Sequence, residues 1–118
     1  MSNDKESFLK YWKEYITTIS NYGSRMIHAT ILKKLEKYLS SINQTDLLFK
    51  DITPDFLRQF REYLLERANP KPLTQNSTIH YFKIIKSIIN QSIADNCYAY
   101  SEDLLRVLNS ILLKENLY

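Results

Sequence analysis

The chain of 118 residues has few of the residues that make turns and cross-links: one glycine, three prolines and one cysteine. So little glycine and proline argues against an all-β fold, in which turns are frequent. Cys97 has no second cysteine with which to form an internal disulfide or a zinc knuckle. The chain also lacks an apolar run of the roughly 18 residues that span a membrane, and its N-terminus lacks a signal-peptide pattern. These absences predict a mostly helical, cytoplasmic protein without a membrane partner.

Hydrophobic residues make up 44% of the chain and recur at intervals of three and four, the spacing of amphipathic helices. They predict five helices, at roughly 6–20, 25–41, 54–67, 77–95 and 101–114. Ser24 and Ser101 are predicted to cap the second and fifth helices, and Thr53–Pro54 is a strong start signal for the third. The apolar residues of the connector 43–51 are expected to lie against the core. Residues 1–118 are expected to form a single domain.

The fourth predicted helix has an unusually wide apolar arc. Its apolar side chains cover more than half of the circumference, so we expect this helix at the centre of the bundle. The stripe that remains is polar, contains lysine and has no acid. Its members are Asn76, His80, Lys83, Lys86, Ser87 and Asn90.

Basic residues are separated from acidic residues along the chain. Residues 24–41 and residues 71–94 each carry a net charge of +3, whereas the whole chain carries +3, so the remainder sums to −3. On the second helix Thr30, Lys33, Lys34 and Lys37 share one flank, and Glu36 points elsewhere. If the second and fourth helices pack side by side, their lysine-bearing flanks merge into a patch suited to a phosphate backbone. The alternative is that these lysines only keep the helices soluble.

Groups that would indicate an enzyme or a metal site do not occur in a usable pattern. Gly23 stands alone, so there is no glycine-rich phosphate loop. His28 and His80 have no cysteine or acid at metal-binding spacing. No nucleophile, base and oxyanion donor can be placed together. We therefore predict no catalysis, no metal, no cofactor and no small-molecule substrate.

Two segments resemble a known family when they are taken in order. The first runs from Phe49 to Leu64 and contains Asp51-Ile52-Thr53-Pro54; the second opens at Asn76–Ser77 and ends at Asn90. Together they resemble the core-binding domain of tyrosine recombinases, especially the integrases of phages and conjugative transposons, over residues 6–96. The resemblance implies a SAM-like four-helix orthogonal bundle. Residues 97–118 would then add a C-terminal helix and a linker toward a catalytic domain.

The resemblance also implies a clamp on the recombination-site duplex, in which the second and fourth helices meet the grooves and the backbone. It places Ser24 at the start of the second helix, Asn76 and Ser77 at the start of the fourth, and Tyr81, Lys83 and Lys86 after them. With the basic flank and the polar stripe, the predicted DNA-binding residues are Ser24, Arg25, Thr30, Lys33, Lys34, Lys37, Asn76, Ser77, His80, Tyr81, Lys83 and Lys86. The chain departs from the family at His28, where a tyrosine is usual, and after the fourth helix, where Gly and Asn-Pro are missing.

We therefore expect a non-catalytic DNA-binding fragment of an integrase. The family's catalytic arginine, His-x-x-Arg and nucleophilic tyrosine would belong to a domain outside this chain. The expected partners are double-stranded DNA, the protein's own catalytic domain and other integrase protomers. The alternative is a helical interaction or dimerisation module, in which the apolar side of the fifth helix docks a partner or a second copy. That side consists of Leu104, Leu105, Leu108, Ile111 and Leu112.

Overall fold

The computed structural model describes residues 7–68, 71–95 and 102–113. In chain order these form α1 (Phe8–Thr17), α2 (Tyr22–Ser41), a short 3₁₀ helix (Phe49–Asp51), α3 (Pro54–Glu66), α4 (Gln75–Ala94) and α5 (Glu102–Leu113). The described residues contain no strand, only one isolated bridge between Ser7 and Leu48. The predicted all-α class is confirmed, and the five α-helices correspond to the five that the apolar spacing predicted.

Short polar side chains set where the helices begin. The hydroxyl oxygens of Ser7, Thr53 and Thr74 accept hydrogen bonds from amides three residues later, at 3.0, 3.1 and 3.1 Å. Each bond pairs an amide that has no acceptor inside its helix. The predicted start of α3 at Thr53 is therefore confirmed, whereas α4 begins slightly earlier than predicted because Thr74 is its cap. The predicted cap Ser101 lies outside the described residues.

The second helix begins three residues earlier than predicted, because Asn21 and not Ser24 is its cap. The Asn21 Oδ1 accepts from the Ser24 amide at 2.9 Å, so Ser24 lies inside the first turn. Gly23 also lies in this turn and not in the preceding loop. A Cβ at this position would stand 3.3 Å from the Asn21 Oδ1, so glycine leaves room for the capping side chain. At the other end Asn43, with φ of 61°, adopts the left-handed conformation that commonly ends a helix.

Aromatic contacts hold the N-terminal half of the bundle together. Trp12 is fully buried, and the rings of Phe8 and Phe49 meet edge to face with their centroids 5.4 Å apart. The 3₁₀ helix thereby fastens the connector to α1, as expected for the apolar residues of this segment. Tyr38 of α2 packs on Phe60 of α3 at 5.5 Å between centroids. Such pairs contribute about 0.5–1.5 kcal/mol each beyond their buried area.

The fourth helix is contacted from more than one side, as its wide apolar arc predicted. It packs against α3 and α5. Its buried residues are Thr78, Ile79, Tyr81, Phe82, Ile85, Ile88, Ile89 and Ser92. The two buried hydroxyls donate to carbonyls of the same chain, Thr78 to Thr74 at 2.9 Å and Ser92 to Ile89 at 2.6 Å. The hydroxyls of Thr78 and Ser92 therefore both keep a hydrogen-bond partner when the helix is buried.

The fifth helix is part of the bundle, so part of the apolar side that the alternative function offered to a partner is covered within the chain. Leu104 is 1% exposed and Leu108 is fully buried. Both belong to the same core as the first four helices, because α5 packs against α3 and α4. Leu105 is half-buried against that core. The side chains of Ile111 and Leu112 lie outside the described part of the structure.

We expect Leu108→Ala to lower the free energy of unfolding by about 2–5 kcal/mol, because it leaves a cavity where a fully buried side chain stood. Ser110→Ala, at an exposed position of the same helix, is the control and should change stability by less than about 0.5 kcal/mol. Urea unfolding of the whole chain measures both. Equal stability of the two variants would contradict the placement of α5 in the core.

Candidate nucleic-acid interface

An exposed ridge runs along α2. Its residues follow one another at steps of four, four, three and four, so they share one face of the helix. All are exposed, and we call them the α2 ridge: Tyr22, Met26, Thr30, Lys33 and Lys37. Arg25 is exposed beside it, whereas Lys34 is half-buried on a flank. The sequence therefore placed Arg25, Thr30, Lys33 and Lys37 on the surface correctly.

The one acid of α2 is turned toward a neighbouring helix. The Glu36 carboxylate lies 3.3 Å from the Lys13 Nζ of α1. Both side chains are partly exposed, so this ion pair adds little stability. The ion pair affects the distribution of surface charge instead. It holds the carboxylate of Glu36 toward α1, and the α2 ridge itself carries no acidic residue.

A second exposed ridge runs along α4. It consists of Asn76, His80, Lys83, Ser87 and Asn90, again at steps of four and three, and we call it the α4 ridge. The helix contains no acidic residue from Gln75 to Ala94. The side chains of Asn76, His80 and Asn90 form no hydrogen bond or ion pair with other described residues. Their polar atoms are therefore open to a ligand.

Three predicted DNA-binding residues of α4 lie off its ridge. Tyr81 is only 7% exposed, and burial raises the pKa of its hydroxyl. Its ring belongs to the core, so a DNA contact through the ring is excluded in this conformation. Ser77 is half-buried, and Lys86 is half-buried with its Nζ donating to the Asn109 Oδ1 of α5 at 2.6 Å. The Lys86 side chain therefore links α4 to α5 beside the α4 ridge.

The starts of α2 and α4 offer unpaired amides. The caps Asn21 and Thr74 accept from the amides of Ser24 and Ser77, so these two amides are not available to a ligand. The amides before them, at the first two positions of each helix, have no acceptor within the helix. Asn76 holds one of these positions. Helix starts of this kind favour an anion when other groups hold it there.

The helices that carry the two ridges do not pack extensively on each other. We expected α2 and α4 to lie side by side, but α2 packs mainly on α1 and α3, and α4 mainly on α3 and α5. Both helices reach the same core, because Leu35 of α2 and Ile85 and Ile89 of α4 line one small apolar cavity. The helices α2 and α4 are therefore not among the extensively packed pairs, and the merging of their two ridges into one patch stays a prediction.

His28 forms a contact between α1 and α2 that sequence reasoning missed. The Trp12 Nε1–H donates to the His28 Nδ1 at 3.0 Å. An imidazole that accepts at Nδ1 carries its proton on Nε2 and is neutral. Burial accordingly lowers the pKa of His28 below its ordinary value. The spacing of Trp12 and His28 on two separate helices contained no local signal of this bond.

The exposed apolar side chains of Tyr22 and Met26 were also missed. Both stood before or at the predicted start of the second helix, where no helical face could be assigned. Asn21 was the available signal, because asparagine caps helices as well as serine does. Ser87 and Asn90 were placed on the polar stripe but not among the predicted contacts.

Other kinds of site find no support in the described residues. These residues contain no group of three or more His, Cys, Asp or Glu side chains that could hold a metal ion. None of the helices in the described part of the chain has the length and apolar character needed to cross a membrane.

Comparison with protein families gives a match. The model of the phage integrase SAM-like domain matches residues 7–103, well over half of the chain. This range contains both segments on which the resemblance was based, and the resemblance is thereby confirmed. No curated protein and no solved structure matches the chain.

We expect acid to weaken the fold through His28. In the unfolded chain the imidazole has its ordinary pKa of about 6.5, and in the folded chain a lower one. The unfolded state therefore binds the proton at higher pH. The free energy of unfolding should fall as the pH drops below about 6.5 and level off below the folded pKa. Urea unfolding at a series of pH values measures this effect.

The control for this effect is His28→Asn, whose Oδ1 can accept from Trp12 near the position of Nδ1 but does not titrate. Its stability should fall less than that of the wild type over the same pH range. Parallel curves for the two proteins would show that His28 does not couple pH to folding.

Proposed function

Because the chain belongs to the phage integrase SAM-like domain family, we propose that it is the core-binding domain of a tyrosine recombinase. In this role it holds recombination-site DNA without cutting it. Strand cleavage would be carried out by a catalytic domain of the full-length protein. Other integrase protomers on the same recombination site would be its further partners.

The observation that carries this proposal is the absence of acid from two exposed helix ridges. Lys33 and Lys37 lie on the α2 ridge and Lys83 on the α4 ridge, while Glu36 is paired with Lys13. Duplex DNA carries one negative charge per roughly 1.7 Å of its axis. A surface with cations and no anions is attracted to such a polymer, and each lysine that meets a phosphate releases a counterion.

Two ridges on different helices suit a clamp. They belong to α2 and α4, which pack mainly on other helices, so a duplex held by both ridges would contact two elements of the bundle. The lysines of the α2 ridge suit phosphates, which position a protein but carry no sequence information. Asn76, His80 and Asn90 on the α4 ridge are side chains that can also reach base edges. We therefore propose that α2 supplies mainly affinity and that α4 supplies what sequence preference this domain has.

We expect affinity for a labelled duplex of mixed sequence to fall steeply with salt. The slope of log K against log salt should be about −0.9 for each phosphate neutralised. Fluorescence anisotropy between about 50 and 200 mM salt measures it. Binding that does not change with salt, or no binding at the lowest salt, would contradict the proposal.

We expect the double variant Lys33→Glu, Lys37→Glu to bind more weakly to any duplex. Its salt slope should be shallower by about two, one for each phosphate that no longer has a lysine beside it. Both positions are exposed, so the melting temperature should hardly change. The matched control is Lys10→Glu, Lys50→Glu, which changes the net charge equally at exposed positions off the two ridges. A control that weakens binding as much as the ridge variant would show that only net charge matters.

A further inference from the structure

Two large apolar side chains stand out on the basic surface. Tyr22 is 69% exposed and Met26 is 49% exposed, and the third large exposed apolar residue among those that the structure describes, Ile42, is 39% exposed. Tyr22 and Met26 are one helical turn apart on the α2 ridge. Ile42 lies at the opposite end of α2, off the ridge.

The fold does not account for Tyr22 or Met26. Neither belongs to the core or packs against it from the edge. The Tyr22 side chain makes no hydrogen bond or ring contact with other described residues. Single exposed apolar residues are common, but two on successive turns of one face form a small patch.

The charges around the patch favour an anionic partner. Arg25 is exposed next to it, and Lys33 and Lys37 continue the same ridge. No acidic residue occurs in α2 before Glu36. A partner that fits must offer negative charge and apolar surface within a few ångströms of each other. A DNA groove does so, because phosphates line its edges and thymine methyl groups and sugar carbons lie between them.

The spacing along the helix agrees with a groove. Met26 and Lys33 are seven residues apart, which is about 10 Å along an α-helix. The major groove of DNA is about 12 Å wide. The two lengths are similar, so the ridge is long enough to reach from apolar groups in the groove to the phosphates at its edge.

A second copy of the chain fits this patch less well. In a two-fold dimer each patch would meet its own counterpart, which brings Arg25 and Lys33 of both copies together. Like charges facing each other disfavour such a contact. Two side chains also fall well short of the roughly 800 Å² per partner that a stable interface buries.

We propose that Tyr22 and Met26 enter a groove of duplex DNA and make apolar contacts there, while Arg25 and Lys33 bind nearby phosphates. The inference rests on the proposed DNA-binding function. It identifies the residues of α2 whose contribution to affinity does not depend on salt concentration. Apolar contacts release no counterions, so this part differs measurably from the lysines.

The test compares Tyr22→Ala, Met26→Ala with the wild-type chain on the same labelled duplex of mixed sequence. We expect about a tenfold drop in affinity at every salt concentration, the size typical when two contact side chains are truncated. The salt slope should not change, because no charge is removed. Tyr22→Phe should bind like the wild type. The control is Ile42→Ala, which removes exposed apolar surface off the ridge and should have no effect.

The outcomes separate this inference from the proposed function. If the wild-type chain binds with a normal salt slope and the double variant binds equally well, the groove contact is wrong and the proposed function stands. If the wild type does not bind at low salt, the proposed function fails first. If Tyr22→Phe lowers the affinity as much as the double variant does, the apolar contact is wrong. Tyr22 would then bind DNA through a hydrogen bond of its hydroxyl. Sedimentation that shows a wild-type dimer, and a monomer for the double variant, would assign the patch to a second copy.

Discussion

The burial of α4 is the constraint on which the rest of the structure depends. Its apolar side chains cover most of the circumference, and burying them requires contacts from more than one side, which α3 and α5 supply. At about 25 cal/mol per Å² of apolar surface, this burial contributes favourably to folding. Only a narrow strip of α4 then remains in solvent. Because that strip has no acid, the packing of the core also decides the charge of the surface.

A similar coupling of packing and charge operates on α2. The contacts with α1 include the Trp12–His28 hydrogen bond and the ion pair between Lys13 and Glu36. Together they orient α2 so that its only acid faces α1, while Lys33 and Lys37 face solvent. The whole chain has a net charge of only +3, so affinity for a polyanion would come from this arrangement and not from the overall charge. Surface electrostatics in this protein is thus a consequence of how its helices pack.

Local signals predicted helix starts correctly only where they were unambiguous. Thr53–Pro54 offers one cap and one residue suited to the first helical position, and α3 begins there. Before α2, Asn21 and Ser24 can both cap, and before α4 so can Thr74, Asn76 and Ser77. Propensities that differ by a few tenths of a kcal/mol cannot choose among such neighbours. In both cases the helix is capped by the earlier residue. Ser24, the predicted cap of the second helix, is consequently part of its first turn.

The sequence by itself determined the all-α class, the five helices, the extensive burial of α4 and the segregation of lysines from acids, because each follows from residue spacing within one helix. Only the tertiary structure decided which neighbour covers each apolar face. It placed Leu104 and Leu108 in the core, buried Tyr81, tied Lys86 to Asn109 and packed α2 mainly on α1 and α3. The physical reason is that periodicity reports the width and direction of an apolar face, whereas the partner of that face depends on contacts between residues far apart in the chain.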